Sequence, residues 1–223
     1  MLTLGCPRQV TAEAGIDALS HAIEAYTAVE NAEFPVPDGE VSIYQGKNPL
    51  ADSLAERAME LIAGNLVTAV EQPENLAARE AMALAATLGG LAFSNAGVAL
   101  VHALEYPVGG ATHRSHGSGN GLLLPHVMRF NLPARPRQFA RVAVLLGENT
   151  AGLAESAAAE RAIEAVTKLA RRVGIPARLR DLDVAEADLP PMAAQAFALK
   201  RLLRVNPRTP TAADLLQILR WAY

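Results

Sequence analysis

Val101-His102-Ala103-Leu104-Glu105-Tyr106-Pro107-Val108-Gly109-Gly110-Ala111-Thr112-His113-Arg114-Ser115-His116-Gly117 holds three of the chain's five histidines, a buried-looking carboxylate, and glycines on both sides of an expected turn. A fourth histidine lies far upstream in Gly15-Ile16-Asp17-Ala18-Leu19-Ser20-His21, four residues after an aspartate. Asp17 and His21 fall on one face of a helix, about one turn apart. His102 follows an almost uncharged helical run, and His116 comes fourteen residues later. One carboxylate and three imidazoles form a mixed oxygen and nitrogen set that suits Fe²⁺ or Zn²⁺ and leaves room for a substrate oxygen. The expectation is that the two stretches meet and hold one divalent ion, with the remaining chain as helical scaffold. A plainer reading stands beside it. His21 can pair with Asp17 or Glu24 as a surface contact, and His102 can be a satisfied core histidine.

Outward from these stretches the pattern is helical throughout. Ile16, Leu19, Ile23 and Tyr26 recur at spacings of three and four, predicting a helix over 12–29 capped by Thr11. Pro35, Pro37, Gly39 and Gly46 break the pattern, so 30–48 reads as a long loop of the kind that is often functional or mobile. Asn48-Pro49 opens a helix to about Glu71, which Pro73 closes. An alanine-rich helix follows from Glu74, interrupted at Gly89-Gly90, where a neighbouring helix or ligand could come close. Leu91–Leu104 is nearly uncharged and is expected to be buried on all sides. Further helices are expected at 136–146, at 151–173 ending in Arg171-Arg172 and Gly174, at 186–203 and at 211–222. There is no useful period-2 strand and no repeat. The chain is read as one all-α domain spanning 1–223.

Composition narrows the function classes. The 223 residues are 51 % hydrophobic, 19 % charged and only 4 % aromatic, so the apolar mass is mainly aliphatic and suits close-packed helices. A net charge of −3 with no basic face argues against nucleic acid. No run of about 18 uncharged apolar residues suggests a membrane span, and the N-terminus has no secretion-signal pattern. The single Cys6 excludes an internal disulfide and a cysteine zinc site, so the cytoplasm is the expected location.

Longer motifs add a resemblance. Thr11-Ala12-Glu13-Ala14-Gly15-Ile16-Asp17-Ala18-Leu19-Ser20-His21-Ala22-Ile23-Glu24-Ala25-Tyr26 resembles the first signature of the iron-containing alcohol dehydrogenases. Leu91-Ala92-Phe93-Ser94-Asn95-Ala96-Gly97, Val101-His102-Ala103-Leu104, His116-Gly117 and Leu123-Leu124-Pro125-His126-Val127-Met128 resemble the second. The likeness covers essentially the whole chain, including Asn206-Pro207-Arg208. It implies the multi-helix C-terminal domain of the dehydroquinate synthase-like, iron-containing alcohol dehydrogenase fold. It also implies a four-ligand site of Asp17, His21, His102 and His116, with Fe²⁺ first and Zn²⁺ second, and Phe93 lining the substrate pocket. In an intact enzyme the ion polarises an alcohol or carbonyl oxygen while hydride passes to or from NAD or NADP. The substrate would be a small alcohol, aldehyde, ketone or hydroxy acid, and the enzyme a homo-oligomer.

Two positions depart from the family pattern. Tyr106 stands where many members carry a further histidine; it offers a hydroxyl that does not titrate near neutral pH. It is assigned to the pocket wall with Phe93. Ser115 replaces a proline that often precedes the last ligand, while His113 and His126 are assigned to structure. The family's N-terminal α/β nucleotide-binding domain is expected to be absent, since no G-x-G-x-x-G follows a strand. Met1, sixteen residues before Asp17, reads as an internal methionine. The expectation is therefore half an enzyme that binds metal but transfers hydride poorly or not at all. Its rivals are a non-catalytic helical remnant that associates with a separate nucleotide domain, and a metal-dependent hydrolase with Glu24 as general base.

Overall fold

The computed structural model describes residues 3–223, and no strand occurs among them; Glu30 and Lys47 form one isolated parallel bridge. The chain folds into α1 (Arg8–Thr27), α2 (Pro49–Glu71), α3 (Leu76–Ala96), α4 (Leu100–Thr112), α5 (His116–Asn131), α6 (Pro136–Leu145), α7 (Glu155–Arg172), α8 (Leu189–Ala198), α9 (Lys200–Leu203) and α10 (Ala212–Trp221). Short 3₁₀ turns link several of them.

The first helix is the axis of the fold. Ile16, Leu19 and Ile23 are fully or almost fully enclosed, and α1 packs against α2, α3 and α5. It begins earlier than its capping signal suggests. Thr11 lies inside the helix, with its hydroxyl bonded to the Pro7 carbonyl and to buried Arg79. Beyond α5, α6 and α7 pack together, and α8 bridges α4 to α10. The buried amides of Asn131 and Asn206 exchange two 2.8 Å hydrogen bonds, tying the end of α5 to the segment before α10. Asn48, Asn75 and Thr211 cap α2, α3 and α10 with their side chains, as helix starts require. The 30–48 loop is closed on itself by Asn31–Lys47 and Lys47–Val29 backbone bonds, and it is pinned to the end of α3 by Gln45–Asn95 and Gly46–Ala96.

Glycine is where the sequence reading fails most informatively. α3 runs unbroken through Gly89-Gly90, so the expected interruption is absent, whereas the expected close approach of a neighbouring helix is present: a Cβ at Gly89 would stand 3.1 Å from the Ala18 carbonyl oxygen. The turn expected between the glycines is present but short, and the glycines themselves are helical. Gly109-Gly110 lie inside α4 and Gly117 to Gly121 inside α5, so the turn shrinks to residues 113–115, where His113 adopts a left-handed φ of 53°. A Cβ at Gly117 would meet the Glu13 carbonyl oxygen at 2.2 Å, and one at Gly121 would meet Ile16 at 2.2 Å. Missing side chains let α5 lie directly on α1.

Other boundaries shift as well. Leu91 and Ser94 are exposed, so the all-round burial expected of Leu91–Leu104 holds for α4 but not for the end of α3. α3 is also long and apolar enough, by length and composition, to cross a membrane; here it lies against α1 and α2. Gly152, at a φ of 76°, delays α7 to Glu155, and Leu199 leaves helical geometry to divide the expected 186–203 helix into α8 and α9.

Candidate metal centre

Asp17, His21 and Glu24 share one face of α1, and that face looks into the space between α3, α4 and the start of α5. α4 delivers His102 from its first turn. The short turn at 113–115 then returns the chain so that His116 opens α5 beside it. The four residues singled out from sequence therefore converge. The Asp17 carboxylate is the hub: His21 Nε2 lies 3.8 Å away, His102 Nε2 3.7 Å and His116 Nε2 3.9 Å. Donors about 2.1 Å from a tetrahedral ion stand roughly 3.4 Å apart, so these separations are close to those of a coordinating set. Asp17, His21 and His102 form the tighter group, their ligand atoms all within 4.8 Å of one another.

The surroundings of His21 suit a neutral ligand. Burial pushes His21 down to about 4, against the pull of Asp17, so its ring is neutral at pH 7 with a lone pair to offer. Its face stacks on Phe93 at 4.3 Å and on His102 at 4.8 Å, which fixes the ring plane. The Phe93 contact places this predicted pocket residue directly against the cluster. Tyr106, 40 % exposed, lies with its ring 6.2 Å from that of His116, at the rim. His113 is the left-handed cap residue of α4, and His126 sits away from the cluster in a cavity lined by Arg129, Thr167 and Arg171.

Three further residues belong to the site, and their roles were hidden in the sequence. Glu24, 4 % exposed, accepts hydrogen bonds from the backbone N–H groups of Ala99 (2.9 Å) and Val101 (2.6 Å), and its Oε2 lies 2.6 Å from His102 Nδ1. It serves as an N-cap for α4, lent by another helix where Ala99 has no capping side chain. Both Glu24 oxygens are thus engaged with the first turn of α4 and with the His102 ring. Glu105 plays a similar part toward His116 Nδ1. That contact holds His116 above the ordinary histidine range, with burial opposing it. Bonding at Nδ1 leaves each Nε2 as the inward-facing atom.

Asn120, one turn after His116, points Nδ2 at Asp17 (2.6 Å), His116 Nε2 (3.0 Å) and His102 Nε2 (3.2 Å). Its Oδ1 is buried with no hydrogen-bond partner in the protein. The fit to a cation lies in the donor set itself, one carboxylate and three imidazole Nε2 atoms brought together. The available signals were the lone carboxylate Glu105 in an otherwise uncharged run and Glu24 seven residues, about two helical turns, beyond Asp17.

Fold and site together define an all-helical domain of the kind that gathers a carboxylate and several imidazoles where they could hold a cation. The model of the Fe-containing alcohol dehydrogenase family, C-terminal, matches residues 40–223, and the chain belongs to that family. It is 44 % identical over 223 residues to 1,3-propanediol dehydrogenase of Klebsiella pneumoniae, covering 100 % of this chain and 53 % of that protein. It is 41 % identical over 214 residues to NAD-dependent methanol dehydrogenase of Bacillus methanolicus, covering 96 % and 52 %. Among solved structures, alcohol dehydrogenase from Oenococcus oeni superposes with a TM-score of 0.89 at 36 % identity, over 100 % of this chain and 54 % of that one. The chain thus spans about half the length of the relatives it matches.

Proposed function

We propose that this chain is the metal-binding helical half of an NAD(P)-dependent alcohol dehydrogenase or carbonyl reductase acting on a small alcohol or its carbonyl counterpart. Asp17, His21, His102 and His116 are its ligands, for Fe²⁺ in the first instance and Zn²⁺ in the second. The observation that carries this reading is the convergence of three imidazole Nε2 atoms on one carboxylate, with Glu24 and Glu105 behind two of the rings. Relatives named for 1,3-propanediol and methanol support the substrate class.

An ion held here supplies Lewis acidity toward an alcohol or carbonyl oxygen. The chain's own residues do the rest of the preparation. Glu24 fixes the His102 ring and the first turn of α4 as one unit. Phe93 fixes His21 and presents an apolar wall to a short carbon chain. Tyr106 adds a hydroxyl at the rim, a hydrogen-bonding group in place of an imidazole. The chain spans about half the length of its relatives, and nicotinamide binding is assigned in this proposal to the half that it does not cover.

Calorimetric titration of the chain with Zn²⁺, and with Fe²⁺ under anaerobic conditions, tests the proposal. One site is expected, weakened at least 100-fold by His102→Ala. Unchanged affinity in that variant would overturn it. A measurable NAD(P)-dependent oxidation of 1,3-propanediol by the 223 residues alone would overturn the assignment of the coenzyme to a region outside them.

A further inference from the structure

Glu105 is the single Asp, Glu, Lys or Arg between Glu80 and Arg114, and it is 3 % exposed. A buried carboxylate is costly unless a partner repays its desolvation, and this one is bonded to His116 Nδ1. Two glycines make room for it. A Cβ at Gly109, on its own helix, would stand 2.5 Å from Glu105 Oε1, and one at Gly119, on α5, would stand 2.8 Å from Glu105 Cγ. Both helices thus omit a side chain where the carboxylate lies.

His116 is also the member of the cluster in most need of support. Its side chain is 44 % exposed, against 19 % for Asp17 and His21 and 3 % for His102. It opens α5 behind Ser115, which makes no capping bond. Glu24 has a second task in holding the backbone of α4, whereas the contact made by Glu105 is to the ring.

We propose that Glu105 is a positioning residue that fixes the His116 ring with Nδ1–H donated to the carboxylate and Nε2 aimed at the point shared with Asp17, and so sets the cation affinity of the centre. This rests on the metal reading above. Without the carboxylate, the half-exposed ring can rotate, which moves Nε2 out of the site, or take the other tautomer, which puts a proton on the Nε2 lone pair. Carboxylates behind metal-binding histidines are worth about 10–100-fold in affinity.

The test titrates Co²⁺ alone into the metal-free 223-residue chain, following its visible ligand-field absorption, with thermal unfolding recorded separately in EDTA. Glu105→Gln keeps the slot filled but replaces the charged acceptor. It is expected to weaken Co²⁺ about 10–100-fold and to alter the absorption band, while the metal-free melting temperature stays near the parent value. Glu105→Asp keeps the charge but withdraws it by one methylene, so it should also weaken binding, and it serves if the glutamine variant fails to fold. If His116→Ala weakens Co²⁺ while both Glu105 variants bind like the parent with an unchanged spectrum, the positioning role is overturned and the metal reading survives. If His116→Ala leaves Co²⁺ binding unchanged, the metal reading of His116 falls, and this proposal with it.

Discussion

Replacing Glu24 by glutamine should destabilise the whole domain, metal or no metal. Glu24 Oε2 takes the Ala99 N–H and faces His102 Nδ1, while Oε1 takes the Val101 N–H. A glutamine has one accepting oxygen and one donating NH₂. Whichever way the amide turns, at least one buried N–H meets a donor. An orphaned buried donor costs roughly 1–3 kcal/mol, and the surviving bonds each lose about 1 kcal/mol of charge assistance. Removing a buried charge gives part of this back through desolvation. The net expectation is a loss of about 2–4 kcal/mol. In a domain of this size, 1 kcal/mol moves the melting temperature by roughly 2–4 °C, so a fall of about 5–15 °C is expected by calorimetry in EDTA at pH 7. A melting temperature within about 2 °C of the parent would refute the claim that Glu24 caps α4.

Three more outcomes follow, two from the packing and one from the half-buried imidazole outside the site. Gly117→Ala drives a Cβ to 2.2 Å from the Glu13 carbonyl oxygen, which is backbone and cannot step aside; urea unfolding should show a loss of about 1–3 kcal/mol or more. Gly110→Ala, with nothing within 4 Å, should instead gain about 0.5–1 kcal/mol, and a loss there would contradict its open helical setting. Burial, with Arg129 adding to it, pushes His126 down to about 4. Protons therefore favour the unfolded chain, and this contribution to stability is present above pH 6.5 and lost as pH falls from there toward 4. His126→Gln should flatten that part of the melting-temperature profile, and an unchanged slope would show that the ring is not held neutral by the fold.

Much of the architecture was legible from local rules. The 3.6-residue period placed Asp17 and His21 on one face, the Asn48 cap marked α2, and the absence of any alternating pattern excluded a sheet. Such signals survive in sequence because they depend on residues within a turn or two of one another. Glycine misled for the opposite reason. Gly89, Gly117 and Gly121 looked like punctuation, but their meaning depends on Ala18, Glu13 and Ile16 on another helix.

The sequence by itself determined that this chain is helical, that it carries a carboxylate and three histidines of ligating type, and which family signatures surround them. Tertiary structure alone decided that α1, α4 and α5 bring those groups to one carboxylate, and that Glu24 and Glu105 stand behind His102 and His116. Periodicity fixes which side chains share a face of one helix, but only the packing of helices chooses which faces meet.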